Sequence, residues 1–225
     1  MTSRTVHKHD FPMRIGLKGR VIDLRPLQAG DEKAMVSFAQ SVPKHDLLFL
    51  QRDITDPADV DWCIAESIAG RLITIVAKAG DKIVGYATCD RGSVRWTRHV
   101  AEVRLIVAES ARGIGVGRLL LELVFEMALD EGVTKVIARM TPDQTEAERL
   151  FRRLGFGPEA VLRDHAMSEN GQTHDLIVLS FHTKQHPNDR CVSCGAPVLS
   201  ALFLDGARFC SQCYEDTFQE LGGGG

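Results

Sequence analysis

Residues 107–120 read Val107-Ala108-Glu109-Ser110-Ala111-Arg112-Gly113-Ile114-Gly115-Val116-Gly117-Arg118-Leu119-Leu120. The stretch follows a β-branched apolar run at 101–107 and opens a long apolar segment at 115–130, the order strand, loop, helix. Three glycines at alternate positions leave the backbone uncovered, so several N–H groups can converge on one anion. The helix that follows adds the positive end of its dipole at the same point. Arg112 and Arg118 can add side-chain charge. A phosphate-bearing ligand is the natural guest. The spacing does not fit the dinucleotide fingerprint, because Gly113 and Gly115 would require glycine or alanine where Arg118 stands. Nor does the loop end in the Gly-Lys-Ser/Thr of a P-loop.

Upstream of the loop, Val21–Pro26 reads as a short strand stopped by proline, and Ala34, Met35, Phe38 and Ala39 fall at helical spacing within 30–41. Asp56-Pro57 opens a second helix that runs through Ile68. Strands follow at 71–79 and 82–90, and the two residues between them, Gly80-Asp81, suit a tight hairpin. Downstream come a strand at 134–140, a helix at 143–154 ending at Gly155, and paired strands at 160–167 and 174–181. The expected fold is α/β, a mixed sheet with helices on both faces, over residues 21–181. Residues 1–20 carry five Lys or Arg against one acid and read as a loosely docked N-terminal arm. Residues 182–190 lack large aliphatic side chains and read as a linker.

The arrangement Arg-x-x-Gly-x-Gly at Arg112, Gly115 and Gly117 resembles the pyrophosphate loop of the GNAT acetyltransferase superfamily. The element order over 21–181 is similar too, and Ala147–Phe156 resembles that family's late helix with its Leu-Gly-Phe ending. The resemblance implies that Leu105-Ile106-Val107 is the central strand whose backbone meets the pantetheine arm of acetyl-CoA. It implies a cosubstrate site formed by Leu105, Val107, Arg112, Gly113, Ile114, Gly115, Val116, Gly117 and Arg118, with Gln144 and Phe151 from the late helix. The Val107 N–H is the candidate to polarise the thioester carbonyl.

Acetyl transfer to an amine needs a base to take the amine's proton and a donor for the leaving thiolate. Glu102, in Ala101-Glu102-Val103-Arg104, stands ten residues before the loop arginine. That placement is similar to the bacterial Pat-type protein-lysine acetyltransferases, which implies Glu102 as general base. The alternative is a carboxylate paired with Arg104 or with an arginine of a neighbouring strand. The family's usual thiolate-protonating tyrosine is replaced by Phe151, and its frequent asparagine by Gln144. Cys89 and Cys63 read as small core residues, and His165 and His174 as surface residues able to approach across the last hairpin.

The chain has 225 residues, 25% charged and 44% hydrophobic, with a net charge of −3. Electrostatic binding to nucleic acid or anionic lipid needs a basic surplus that this balance does not supply. The sequence shows no secretory signal and no membrane-spanning run, so a cytoplasmic protein is expected.

Four of the six cysteines fall within 23 residues. Cys191-x-x-Cys194 and Cys210-x-x-Cys213 have zinc-site spacing, with a hairpin read between them around Asp205-Gly206. Residues 191–221 resemble a zinc-ribbon or treble-clef module with a structural Zn2+. Two disulfides or a redox pair are the alternative. The module's own charge of −3 points to protein contact rather than nucleic acid. Gly222–Gly225 offers nothing to pack and is expected to be disordered.

The leading expectation is an acetyl-CoA-dependent N-acetyltransferase acting on a protein lysine or N-terminal amine. The other readings are a small-amine acetyltransferase and a non-catalytic acyl-CoA sensor. A homo-oligomer is left open.

Overall fold

A computed structural model describes residues 10–47, 50, 52–92, 94–168, 170–183, 193, 202–204 and 207–209. The chain divides into two compact units, Met1–Val133 and Thr134–Gly225.

In the first unit five strands lie side by side in chain order: β1 (Met13–Leu17), β2 (Arg20–Pro26), β3 (Leu72–Ala79), β4 (Lys82–Asp90) and β5 (Val100–Val107). Each is antiparallel to the next. Three helices, α1 (Glu32–Ser41), the short α2 (Lys44–Leu47) and α3 (Pro57–Ile68), connect β2 to β3, and α4 (Val116–Asp130) follows β5. Asp56 caps α3 by accepting from the Ala58 N–H, with Pro57 in the first turn, as that dipeptide predicts.

Successive strand residues face opposite ways. Tyr86, Val76 and Ile106 share a core with Met35 and Phe38 of α1 and Val60 and Ile64 of α3. The neighbouring Gly85 faces Leu120 and Val116 of α4. Helices therefore cover both faces of this sheet. The residues expected to form a loose arm behave differently from Met13 onward. Lys18 (φ +44°) and Gly19 (φ +79°) make the two-residue turn of a hairpin, and β1 pairs with β2 from Met13–Leu24 to Leu17–Arg20. The arm's residues 1–9 lie outside the described residues.

One ion pair fixes the entry to α1. Arg25 donates to both carboxylate oxygens of Asp31 at 2.6 Å, and the Gln28 N–H donates to the same group. Burial works to raise the Asp31 pKa, but the Arg25 and Gln28 bonds outweigh it and hold the carboxyl below its ordinary value. A carboxyl depressed in the folded state stabilises above its unfolded pKa and loses that contribution as pH falls through the folded value. Asp31→Asn should therefore cost about 3 kcal/mol at neutral pH, because Arg25 keeps its charge without its partner. In acid the difference from wild type should shrink. Urea unfolding of both proteins at pH 7 and below pH 3 checks this.

In the second unit, β6 (Lys135–Met140), α5 (Thr145–Arg153), β7 (Gly157–Met167) and β8 (Thr173–His182) follow in sequence. Strand β8 lies between β6 and β7, antiparallel to both. Phe156 is fully buried, with Phe151 edge-on at 5.1 Å and Phe181 at 5.9 Å. His182, assigned to a linker by composition, is instead the last residue of β8, opposite Lys135. Strand β7 starts three residues earlier than the sequence indicated, at Gly157. The expected hairpin of the cysteine segment is present as β9 (Leu202–Leu204) paired antiparallel with β10 (Ala207–Phe209). Residues 184–190, all four zinc-ligand candidates and Gly222–Gly225 lie outside the described residues.

Candidate active site

Strand β5 carries a buried carboxylate, Glu102, near one end and delivers the chain to the glycine loop at the other. Its residues alternate, so Glu102, Arg104 and Ile106 share the face that Ile106 buries against α1 and α3. Glu102 is 7% exposed. Arg104 Nη2 donates to Glu102 Oε1 at 2.7 Å, the pairing that the alternative reading anticipated. Glu102 stands opposite Asp90 of β4, and Arg104 opposite Thr88. Thr88 in turn belongs to a hydroxyl chain with Thr74 (3.2 Å) and Ser67 (3.0 Å from Thr74). Carboxylates from Glu102 and Asp90, the Arg104 guanidinium and the hydroxyls of Thr88 and Thr74 thus share one sheet face, with Ser67 of α3 bonded to Thr74. Sequence patterning did not single out Thr74 and Thr88, because threonine is as ordinary in a strand as valine.

At the other end of β5, a single 3-10 turn at 109–111 precedes the glycines. Gly113 (φ +69°) and Gly115 (φ +102°) occupy the left-handed region, and Gly115 is the residue before the first turn of α4. The N–H groups of residues 113–118 donate to no protein acceptor among the described residues. These unpartnered amides stand at the positive end of a 15-residue helix.

The side-chain charge at the loop differs from expectation. Arg112 points away from it, with Nε donating to the Val107 carbonyl (3.1 Å) and Nη2 to Asp46 of α2 (2.6 Å). Both bonds tie the loop to β5 and α2. Arg118 pairs with Glu122 one turn along α4. The cations that do reach the loop come from the β1–β2 hairpin. Lys18 Nζ donates to the Gly113 carbonyl at 2.8 Å, and Arg20 Nη1 to the Ser110 carbonyl. Their positions follow from a hairpin that the basic composition of 1–20 concealed.

Leu105 and Val107 are half-buried on the other face of β5. Ile114 is half-buried, Val116 is buried at the start of α4, and Gly117 lies in its first turn. In the second unit, Gln144 accepts from the Thr141 N–H at 3.2 Å, just before α5. Phe151 is 4% exposed and packed on Phe156, a core residue of its unit. His174 stands opposite Ala166 and bonds Ser168, while His165 is exposed.

Burial pushes the Cys63 thiol up to about 11 and Cys89 to about 12. Both stay protonated and unreactive near neutral pH, as core cysteines do. Among the described residues, no group of three or more His, Cys, Asp or Glu side chains can hold a metal ion.

Gly115→Ala should cost about 1–2 kcal/mol, since an L side chain is strained in this conformation. The nearest atom to an added Cβ would be Leu17 Cδ2 at 3.9 Å, so the loss is conformational rather than a clash. Thermal unfolding should show the stability loss, and calorimetric titration a weaker affinity for acetyl-CoA.

The sequence pattern of the acetyltransferase (GNAT) family matches residues 42–156, which is 115 of the 225. The chain belongs to this family. The match spans the buried carboxylate, the glycine loop and α5, and it makes the protein an acetyltransferase with acetyl-CoA as cosubstrate. Solved structures agree on the fold. The acetyltransferase is 22% identical to yncA of Salmonella typhimurium, solved with its cofactor acetyl-CoA; 74% of this chain and 96% of that one align, with a TM-score of 0.62. It is 22% identical to a ribosomal-protein-alanine N-acetyltransferase from Brucella melitensis (71% and 98% covered, TM-score 0.61). It is 21% identical to the GNAT domain of S. lividans PAT (76% and 96%, TM-score 0.61). The expected α/β fold with a mixed sheet is the fold this family shares. No curated protein sequence matches the acetyltransferase. No helix among the described residues is long and apolar enough to cross a membrane.

Proposed function

We propose that this acetyltransferase moves an acetyl group from acetyl-CoA to a primary amine on a protein, a lysine or an N-terminus, with Glu102 as general base. One observation carries the reading. A carboxylate is buried on the α1/α3 face of the strand that ends in the amide-rich loop. The base and the anion site are thus fixed on one rigid element. The ion pair with Arg104 holds the Glu102 side chain in one orientation.

In the reaction, the Glu102 carboxylate accepts a proton from the acceptor nitrogen. The nitrogen lone pair attacks the thioester carbon, the C–S bond breaks with its electron pair on sulfur, the thiolate takes a proton from water, and the hydroxide so formed takes the second proton from the acylated nitrogen. Phe151 cannot donate that proton. The amides of residues 113–118 receive the pyrophosphate, with Lys18 and Arg20 contributing positive charge beside it. The backbone of Leu105 and Val107 completes the cosubstrate contacts of this unit by resemblance to the family. The Brucella structure, by name a ribosomal-protein-alanine N-acetyltransferase, supports a protein amine as acceptor as a relative in fold.

The tail's Cys191, Cys194, Cys210 and Cys213 fit a structural Zn2+ by their spacing and by the β9–β10 hairpin between the pairs. Four thiolates close the coordination sphere and leave no place for a reacting water, so the ion would hold the tail's fold. Metal analysis should find about one zinc per chain. The acceptor assignment is tested with labelled acetyl-CoA against lysine peptides, free N-terminal peptides and small polyamines. Label on peptides supports it, and label on small amines alone overturns it.

A further inference from the structure

We infer that the β4–β5 connection is an acceptor-docking surface that selects an amine flanked by acidic residues, a refinement that rests on the protein-amine reading above. Between Asp90 and Val100 the chain carries Arg91, Arg95, Arg98 and His99 and no acid. Arg91 is occupied, bridging Glu131 and the Gly70 carbonyl. Arg95, Trp96, Arg98 and His99 line an open surface pocket around a single 3-10 turn. Arg95 and Arg98 are exposed and have no acidic partner among the described residues. Trp96 is 79% exposed, beside an exposed Val94. A tryptophan left this open, ringed by unneutralised guanidinium groups, has no role in the core and is suited to contact with another molecule.

The position of the surface ties it to the reaction. The connection closes on the pair Asp90 and Glu102, which stand opposite each other at the end of β4 and β5. His99 is three residues from Glu102, at most about 11 Å of extended chain. The sheet end is therefore divided by charge, with carboxylates at the mouth and cations on the connection. A lysine with neighbouring aspartates or glutamates matches both parts, its amine toward Glu102 and its flanking carboxylates toward Arg95 and Arg98. The face of Trp96 covers the aliphatic part of the segment. A nucleic acid would also meet arginine and an aromatic ring. However, the protein's net charge of −3 gives a polyanion no general attraction.

The test uses the full chain and three nine-residue peptides with one central lysine, flanked by aspartate, by serine or by arginine. Titrations follow Trp96 emission, with Trp96→Phe as the control that removes the signal. The aspartate peptide should bind about tenfold more tightly than the arginine peptide, a few-fold from each of two exposed charge pairs. The double variant Arg95→Glu/Arg98→Glu should remove that preference while acetyl-CoA affinity stays unchanged. With labelled acetyl-CoA, kcat/KM should follow the same order. Acetylation of all three peptides at equal rates overturns the docking surface and leaves the protein-amine reading standing. Label on small amines but on no peptide overturns both. Tighter binding of oligothymidylate than of the aspartate peptide, lost in the double variant, overturns the acidic-peptide assignment in favour of a nucleic-acid surface.

Discussion

Glu102→Gln should lower acetyl transfer by about 10²–10⁴-fold, the range that a positioned base contributes. Binding of acetyl-CoA should change little, because the amide-bearing loop lies at the opposite end of β5. Glutamine keeps the shape but leaves the Arg104 charge without its partner, so stability should fall by about 3 kcal/mol, as for Asp31→Asn, and the rate is compared per folded molecule. A purely structural ion pair predicts a different pattern, in which stability falls and the rate per folded molecule does not. A second readout separates the two roles. If the carboxylate's task is to take a proton from the acceptor, raising the pH toward the amine's own pKa of about 10.4 supplies neutral amine directly. The variant should then recover relative to wild type. Steady-state rates between pH 7 and 10, corrected for folded fraction by circular dichroism, decide the matter. A constant ratio across that range removes Glu102 as the base.

Leu120→Ala should destabilise the first unit by about 3–5 kcal/mol, the cost of a buried Leu-to-Ala cavity that its surroundings cannot fill. Leu120 is fully buried, and its Cδ1 would lie 3.0 Å from a Cβ built on Gly85. The close approach of α4 to β4 depends on that glycine having no side chain. The same contact aims the first turn of α4, so the loss should extend beyond stability. Removing the leucine should loosen the helix end that carries the converging amides and weaken acetyl-CoA binding by a few-fold at temperatures where the variant is still folded. Urea unfolding followed by circular dichroism, with acetyl-CoA titration at low temperature, checks both parts. A loss below 1 kcal/mol would show that the site refills.

The stretch 107–120 was readable because its requirement is local. Alternate glycines before an apolar helical run prescribe positive φ angles, bare amides and a helix N-terminus with no help from the rest of the chain. Glu102 was singled out differently, by a placement ten residues before the loop arginine that resembles the Pat-type enzymes. The hairpins at Gly80-Asp81 and Asn170-Gly171 rest on two-residue and short-turn chemistry. Residues 13–20 escaped detection because the excess of basic side chains suggested a solvated arm. In β1 the residues face alternately inward and outward, and Lys18-Gly19 is a hairpin turn. His182 escaped for the related reason that a strand end at a sheet tolerates a polar residue.

Partnerships across the fold were not in the sequence. It offered Arg112 and Arg118 as cations for the anion because they flank the glycines. Where a guanidinium points depends on the carboxylate within its reach, and Asp46 lies 66 residues away from Arg112 along the chain. Folding turned both arginines into braces and brought Lys18 and Arg20 to the loop in their place. Likewise the exposed Trp96 between Arg95 and Arg98 is unremarkable as a tripeptide context. It becomes a surface with a direction only once β4 and β5 pair, because the connection that carries it closes on Asp90 and Glu102. The sequence alone determined the backbone devices, since glycine conformation and strand alternation depend on near neighbours. The tertiary structure decided the assignment of charges, because an ion pair is chosen by distance in space.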